Sequence, residues 1–326
     1  MAQAQSNVIS CDLSQLQGKA IAVVGDVMID SWIDGVVKRI SPEAPVPVVS
    51  VVNTTHMLGG AANVARNVAS LNSTANLFGV IGSDSWGDVY KNLVNKNTNI
   101  VDHSVTDRHR QTTVKTRIVG NHQQIARLDQ ETNNSVTSEV QQQLISQLKT
   151  SIASCDCVIV SDYAKGVISY ELVNKIQIAA HWNDTPVLVD PKSSNWAIYQ
   201  GSSLITPNWL EFAEVCRVNL LDPTQITSSA RTLMHRFELG AVLITQADQG
   251  MTLVLAHTDH HEPALRREVA DVSGAGDTVI ATMAVCMSAH MDLISATRLA
   301  NVAAGISVSK AGTATVTLDE LADLLS

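Results

Sequence analysis

The chain has 326 residues, 45% hydrophobic and 16% charged, a composition that supports a large folded core and excludes a disordered polymer. A formal net charge of -9 with no Lys/Arg-rich run disfavours a nucleic-acid partner, whose phosphate backbone requires a basic surface. No apolar run approaches the roughly 20 residues needed to cross a bilayer, so no membrane partner is expected.

Residues 1–17 are polar and irregular and read as a flexible arm. Residues 20–24 form an apolar run ending in Gly25-Asp26, the pattern of a buried strand that stops at a turn. Asp30 follows, then a string with Pro42, Pro45 and Pro47 that excludes a helix or central strand, and a short apolar strand at 48–52. Residues 58–69 read as small residues opening a helix, with Gly59 and Gly60 allowing close backbone approach and Asn63 near its start. Residues 76–80 suggest a strand. Residues 112–119 and 124–128 alternate around Gly120-Asn121 as a hairpin. Together with 31–52, the segment 112–129 is expected to build a small β lid over the main domain.

From about residue 135 helices and strands alternate: helix 138–150, strand 157–160, helix 169–182, strand 186–189, strand 204–206, a helix from Trp209, and strands at 241–244 and 251–255. This order predicts an α/β three-layer sandwich around a mostly parallel sheet, whose ligand crevice lies outside the C-terminal strand ends. Asp26, Asp162, Asp190 and Asn208 fall at those ends.

Five cysteines, Cys11, Cys155, Cys157, Cys216 and Cys286, together with the absence of a signal-peptide pattern point to the reducing cytoplasm. Cys155 and Cys157 read as small residues around a buried strand. His257, His260 and His261 read as an exposed loop and not a zinc site.

The densest chemistry is Asp271-Val272-Ser273-Gly274-Ala275-Gly276-Asp277-Thr278, directly before an apolar helix at 279–287. Two readings fit it. Gly274 and Gly276 can form a tight turn with Asp277 as a cap, or the turn can present helix N-terminal amides to an anion, with Asp277 as a base at its mouth.

Three strings, Gly59-Gly60-Ala61-Ala62-Asn63, Thr206-Pro207-Asn208 with Glu211, and residues 271–278, resemble in order and spacing the ribokinase-like (PfkB) carbohydrate kinases over about 18–325. Within that family, the strings at 24–30, 39–48, 123–129, 161–166 and 190–192 are similar to those of D-glycero-β-D-manno-heptose-7-phosphate kinases. The resemblance implies a ribokinase-like kinase domain at 18–325 that uses ATP and Mg²⁺ to phosphorylate a sugar phosphate at O1. It implies either a stand-alone kinase or the kinase module of a protein with a second, nucleotidyl-transferring activity. Other readings are a kinase for another sugar, sugar phosphate or nucleoside, and a non-catalytic sugar-binding regulator; a retained base in a complete cradle argues against the last.

By the same resemblance Asp277 is the general base, with Gly274, Ala275 and Gly276 donating amides to the migrating phosphoryl group. Asp271 anchors the loop or a cation, and Thr278 bonds a phosphate. Asn208 and Glu211, three apart at a helix start, organise Mg²⁺ or simply cap the helix. Asp30, Gly59, Gly60 and Asn63 meet the sugar, with Asp162 and Asp190 in the same cleft. Lys115, Arg117, Lys165 and Lys192 are the cations available to its phosphate, Lys192 having a surface ion pair as the other option. Thr245, Gly250, Asn301, Ala304 and Gly305 wall the nucleotide pocket. A lid with a second face to bury suggests a homodimer.

Overall fold

The structure, a computed structural model, describes residues 12–216, 223–265 and 267–325. A 3₁₀ turn at Leu13–Leu16 leads to β1 (Ala20–Gly25), β2 (Val27–Ile40), β3 (Pro47–Gly60), α1 (Ala61–Ser70), β4 (Thr74–Phe78) and β5 (Val80–Gly82). Then come α2 (Ser85–Val94), β6 (Ile100–Asp102), β7 (Val105–Asp107), β8 (Thr113–Gly120), β9 (Gln123–Gln130), α3 (Ser138–Ile152), β10 (Cys157–Ser161) and α4 (Tyr170–Trp182). The remainder is β11 (Val187–Asp190), β12 (Leu204–Ile205), α5 (Trp209–Cys216), α6 (Pro223–Phe237), β13 (Val242–Thr245), β14 (Met251–Val254), β15 (Asp259–Glu262), α7 (Ala275–Ser288), α8 (Leu293–Val308) and α9 (Leu318–Leu325).

A nine-stranded sheet runs in the order β15-β14-β13-β12-β11-β10-β1-β4-β6. It is parallel from β13 to β6, while β14 and β15 pair antiparallel at one edge. Its central strands read as continuous apolar runs because both faces are covered. In β1, Ile21 and Val23 join a cluster with α1, α7 and α8, whereas Ala22 and Val24 join one with α3, α4 and α6. Gly25, Ser161 and Asp190 lie in register, which brings the polar ends of β1, β10 and β11 to one edge of the sheet.

The lid is a four-stranded sheet of order β3-β2-β8-β9. Only the first residues of β2 are buried; the strand then leaves the core and pairs with β3 along its whole length, with irregularities at Asp34/Gly35 and Val37/Arg39. The proline string forms the turn between them. β8 and β9 form the expected hairpin, but its turn is Asn121-His122, both at positive φ (52° and 67°), one residue later than expected.

Four local expectations are corrected. Leu58, Gly59 and Gly60 end strand β3, and the helix begins only at Ala61. Within the expected arm, residues 13–16 form the 3₁₀ turn and Leu16 is buried in the core, because one apolar side chain in a polar segment suffices to dock it; residues 1–11 lie outside the described part. His260 and His261 sit on edge strand β15, paired to β14, and are not in a loop. Helix α7 begins at Ala275, inside the 271–278 string and four residues before the expected 279; helices α2 and α6 and the short strands β6 and β7 had no expectation at all. Cys155 and Cys157 are buried free thiols, as expected of a core strand, and burial pushes the Cys155 thiol up to about 11.

Candidate active site

Helix α7 is preceded by Gly274 at its N-cap, whose φ of 83° is left-handed and whose missing Cβ leaves room for the Asn63 amide. The amides of its first turn have no intrahelical acceptor and, with the helix dipole, create positive potential there. Asp277 stands in that turn and is 3% exposed. Its Oδ1 accepts from the Tyr163 hydroxyl at 2.7 Å and its Oδ2 from Asn63 Nδ2 at 2.7 Å. Burial raises its pKa to about 6, against the lowering effect of these two hydrogen bonds. A carboxylate titrating there can take a proton near neutral pH.

Asn63 is oriented from behind: Arg66 Nη1 donates to its Oδ1 at 3.2 Å and also to the Thr313 carbonyl at 3.2 Å, so the Asn63 amide nitrogen faces Asp277. Thr278 does not face a ligand. Its hydroxyl contacts Asn67 Oδ1, the Gly274 carbonyl and Ser307 inside the α1/α7/α8 packing, which corrects the expected phosphate contact. One turn of helix does not place adjacent side chains on one face, and Thr278 points inward where Asp277 points out. Asp271 anchors the loop by accepting from the Ser273 and Gly312 amides.

On the lid side, Asp30 is 4% exposed and its Oδ1 lies 2.6 Å from Arg117 Nη1. Arg117 stacks on Trp32, and Lys115, in register with Asp30, sits over the Tyr163 ring. A Cβ at Gly59 would fall 2.3 Å from Asp30 Oδ2, so glycine there makes room for the carboxylate. Lys165 Nζ bonds Glu131 at 2.8 Å within the electrostatic reach of Lys115. Arg127 pairs with Asp129 on the exposed strand β9.

The strand-end carboxylates divide by task. Asp26 is consumed by the backbone, accepting from the amides of Tyr163, Lys165 and Val167, and therefore shapes the loop after β10 instead of facing a ligand. Asp162 is likewise engaged, by the Tyr199 hydroxyl and the Ala164 amide. This corrects its assignment to the sugar: its two oxygens hold the turn after β10, through the Ala164 amide, to Tyr199, a loop-ordering role. The Asp190 carbonyl accepts from the Asp162 amide at 3.0 Å, while its carboxylate takes no hydrogen bond among the described residues; burial, then Asp277 and Glu211, push its pKa well above the usual carboxylate range. Asn208 and Glu211 form a reciprocal capping box at the start of α5, each accepting from the other's amide at 3.0 Å. The second Glu211 oxygen holds Lys192 Nζ at 2.9 Å, so Lys192 is in an ion pair, the alternative left open above.

Asn208, Thr245, Gly250, Ala275, Gly276, Asn301, Ala304 and Gly305 all line one cavity of about 1420 Å³. Gly250 is at φ 94° with a Cβ position 2.1 Å from the Glu262 carbonyl, and Gly305 lets Leu265 pack against α8. The Asn301 side chain is spent on the Pro263 carbonyl at 2.8 Å and positions the 263–265 segment. At Gly276 an added Cβ would meet nothing within 4 Å, which places the open N-terminus of α7 at the cavity wall. Gly276 lines the cavity, and Asp277 beside it feels the charges of Asp30 and Lys115 from the lid side.

Sequence reasoning passed over Tyr163, Arg66, Asn67 and Tyr199. Tyr163 lay inside the 161–166 string, but nothing in its spacing announced a contact with Asp277, 114 residues away. Among the described residues, no group of three His, Cys, Asp or Glu side chains could hold a metal alone. Mg²⁺ retains waters and takes one or two carboxylates beside substrate phosphates, a role that the crowded Asp190 with Glu211 fits.

Residues 19–320 match the pfkB family carbohydrate kinases. The chain is 41% identical over 308 residues to the bifunctional protein HldE of Granulibacter bethesdensis, and 43% identical over 306 residues to that of Caulobacter vibrioides. Those matches take in 92% and 93% of this chain but 64% and 63% of the relatives, so the chain spans less than two thirds of their length. Among solved structures, phosphofructokinase-2 from Escherichia coli in complex with potassium superposes with a TM-score of 0.79 at 17% identity, covering 95% of this chain and 98% of that one. Ribokinase from Arabidopsis thaliana complexed with ribose and ATP gives 0.73 at 16%, covering 95% and 99%. These likenesses establish the ribokinase-like three-layer fold with its lid sheet. Because the family match runs unbroken through the lid, the buried aspartate and the turn before α7, the chain belongs to the pfkB family of carbohydrate kinases.

Proposed function

We propose that this chain transfers the γ-phosphoryl group of ATP to O1 of D-glycero-β-D-manno-heptose 7-phosphate, giving the 1,7-bisphosphate used for ADP-heptose and lipopolysaccharide core synthesis. The observation that carries the reading is Asp277, buried at the junction of a nucleotide-sized cavity and a cation-bearing sugar side, and held by Asn63 and Tyr163. The motif strings shared with heptose-7-phosphate kinases and the identity to HldE proteins support the particular sugar.

In this reading, Asp30 accepts from sugar hydroxyls and the phosphorylated end lies toward Lys115 and Lys165. Asp277 removes the proton from the anomeric hydroxyl as the amides at the start of α7, at Gly274 to Gly276, receive the charge developing on the transferred group. Asp190 and Glu211 would hold Mg²⁺, which when bound neutralises phosphate charge. Lid closure excludes water from the transfer.

The lid also supports a homodimer. Val51, Val52 and Leu128 on it are 60%, 75% and 54% exposed, apolar side chains that a partner lid would cover. No helix among the described residues is long and apolar enough to cross a membrane, and the free thiols support a reducing compartment such as the cytoplasm.

The test is to incubate the purified chain with Mg²⁺-ATP and a panel of sugar phosphates, following ADP release and product phosphorus NMR. A new anomeric phosphate from the heptose 7-phosphate alone is the expected result. Turnover only of another sugar overturns the substrate, and binding without turnover overturns the kinase reading.

A further inference from the structure

Arg110 sits between β7 and β8, where the chain enters the lid. Its Nη2 donates to the carbonyl of Thr132 at 2.9 Å, just after β9, where the chain leaves the lid, and to the carbonyl of Lys165 in the turn after β10. These segments are already packed together. Val136 donates its amide to the Gly166 carbonyl at 3.0 Å, and a Cβ on Gly166 would stand 2.1 Å from the Asn134 carbonyl. Lys165 reaches back to Glu131, next to Thr132, while its own amide is held by Asp26. One guanidinium therefore joins the entry to the lid, the exit from it, and the core loop bearing Lys165.

Arg110 Nη1 and Glu131 Oε2 are both buried, so the guanidinium and the carboxylate that pairs with Lys165 lie inside the packed root of the lid. Asp26 and Asp107 supply the negative field that keeps the guanidinium there. Both carbonyl contacts come from the one nitrogen Nη2, so a lysine ammonium, with three donors on a shorter stem, can restore them only in part.

We propose that Arg110 is a positioning residue that ties the root of the lid to the Lys165 loop and so sets the affinity for the phosphorylated end of the sugar. This rests on the reading above that Lys165 and Lys115 face that end. Arg110 does not line the cavity assigned to the nucleotide, so its effect is expected on the sugar-phosphate side.

The experiment compares Arg110→Ala and Arg110→Lys with the wild-type chain, measuring KM for sugar phosphate and for ATP, and amide hydrogen exchange. Arg110→Ala is expected to raise the sugar-phosphate KM about tenfold or more while leaving the ATP KM within about twofold. It should also accelerate exchange in 131–136 and 163–167 without affecting β1 or β10. Arg110→Lys should recover part of the KM loss. An equal rise in both KM values, an unchanged sugar-phosphate KM, or unchanged exchange in the two segments overturns the proposal. Should the wild-type chain turn over no sugar phosphate, the substrate reading fails, and the exchange measurement still decides whether Arg110 ties the two segments.

Discussion

Asn63 Nδ2 donates to Asp277 Oδ2 at 2.7 Å across 214 residues of sequence, joining the first turns of α1 and α7. Both helices are preceded at their N-caps by positive-φ glycines, Gly60 and Gly274, which bring their N-termini close enough for that bond. The expected general base is thereby held by a neutral donor. A cation in the same place would stabilise the carboxylate too strongly for it to take a proton.

Asp277→Asn should lower kcat by roughly 10²–10⁴-fold, the usual loss of a general base. Because the wild-type group titrates at about 6, kcat/KM should fall with pH below that value. The stability consequence has the opposite sense. A carboxyl whose folded pKa is raised favours folding most below its unfolded value and loses that contribution as pH rises through about 6. Chemical denaturation at pH 4 and pH 7 should therefore show the asparagine variant gaining on wild type with rising pH, by up to about 3 kcal/mol.

Removing either hydrogen bond to Asp277 should move the acid limb of the pH profile upward. Both the Asn63 amide and the Tyr163 hydroxyl hold its pKa down against burial. Asn63→Ala and Tyr163→Phe are each expected to shift the limb by roughly one pH unit, the equivalent of one hydrogen bond to a charged group. A profile unchanged in both variants would show that another group sets the limb.

Three glycines should respond differently to alanine. At Gly25 the new Cβ would lie 1.9 Å from the Ser161 carbonyl oxygen between two central strands, so the fold itself should be lost or severely weakened. At Gly59 the first atom met is Asp30 Oδ2, so the fold should survive while the sugar KM rises. At Gly276 no atom is met, and alanine in a helix is worth about 0.5–1 kcal/mol over glycine, so the melting temperature should rise while the ATP KM worsens. Thermal melts alongside both KM values separate the three.

Glu211→Ala should cost about 1 kcal/mol through loss of the capping box with Asn208. It also releases Lys192 and removes one of two carboxylates suited to Mg²⁺, so the metal concentration giving half-maximal rate should rise. An unchanged metal dependence would leave this residue a cap alone.

Leu128→Glu places a charge on the exposed apolar part of the lid, where Leu128 stands opposite Thr116. Sedimentation should show a shift from dimer to monomer at equal concentration, with the melting temperature of the main domain unchanged.

The local code of this chain was readable wherever one segment settles its own structure. Apolar runs covered on both faces marked β1, β10 and β11, the 271–278 string marked the approach to an apolar helix though not that it starts inside the string at Ala275, and the small residues at 301–305 marked a cavity wall. Asn208 with Glu211 illustrates the limit, since a metal pair and a capping box are written with the same spacing, and only coordinates show both side chains returned to the backbone. Asp26 and Asp162, equally placed at strand ends, differ from Asp190 in which amides and hydroxyls, near or far along the chain, reach their carboxylates. Tyr163 and Arg66 act on partners more than a hundred residues away, beyond any local pattern. Sequence periodicity reports which face of an element is buried; it does not say which buried polar group meets which, because hydrogen-bond pairing depends on sub-ångström placement by the whole packed fold.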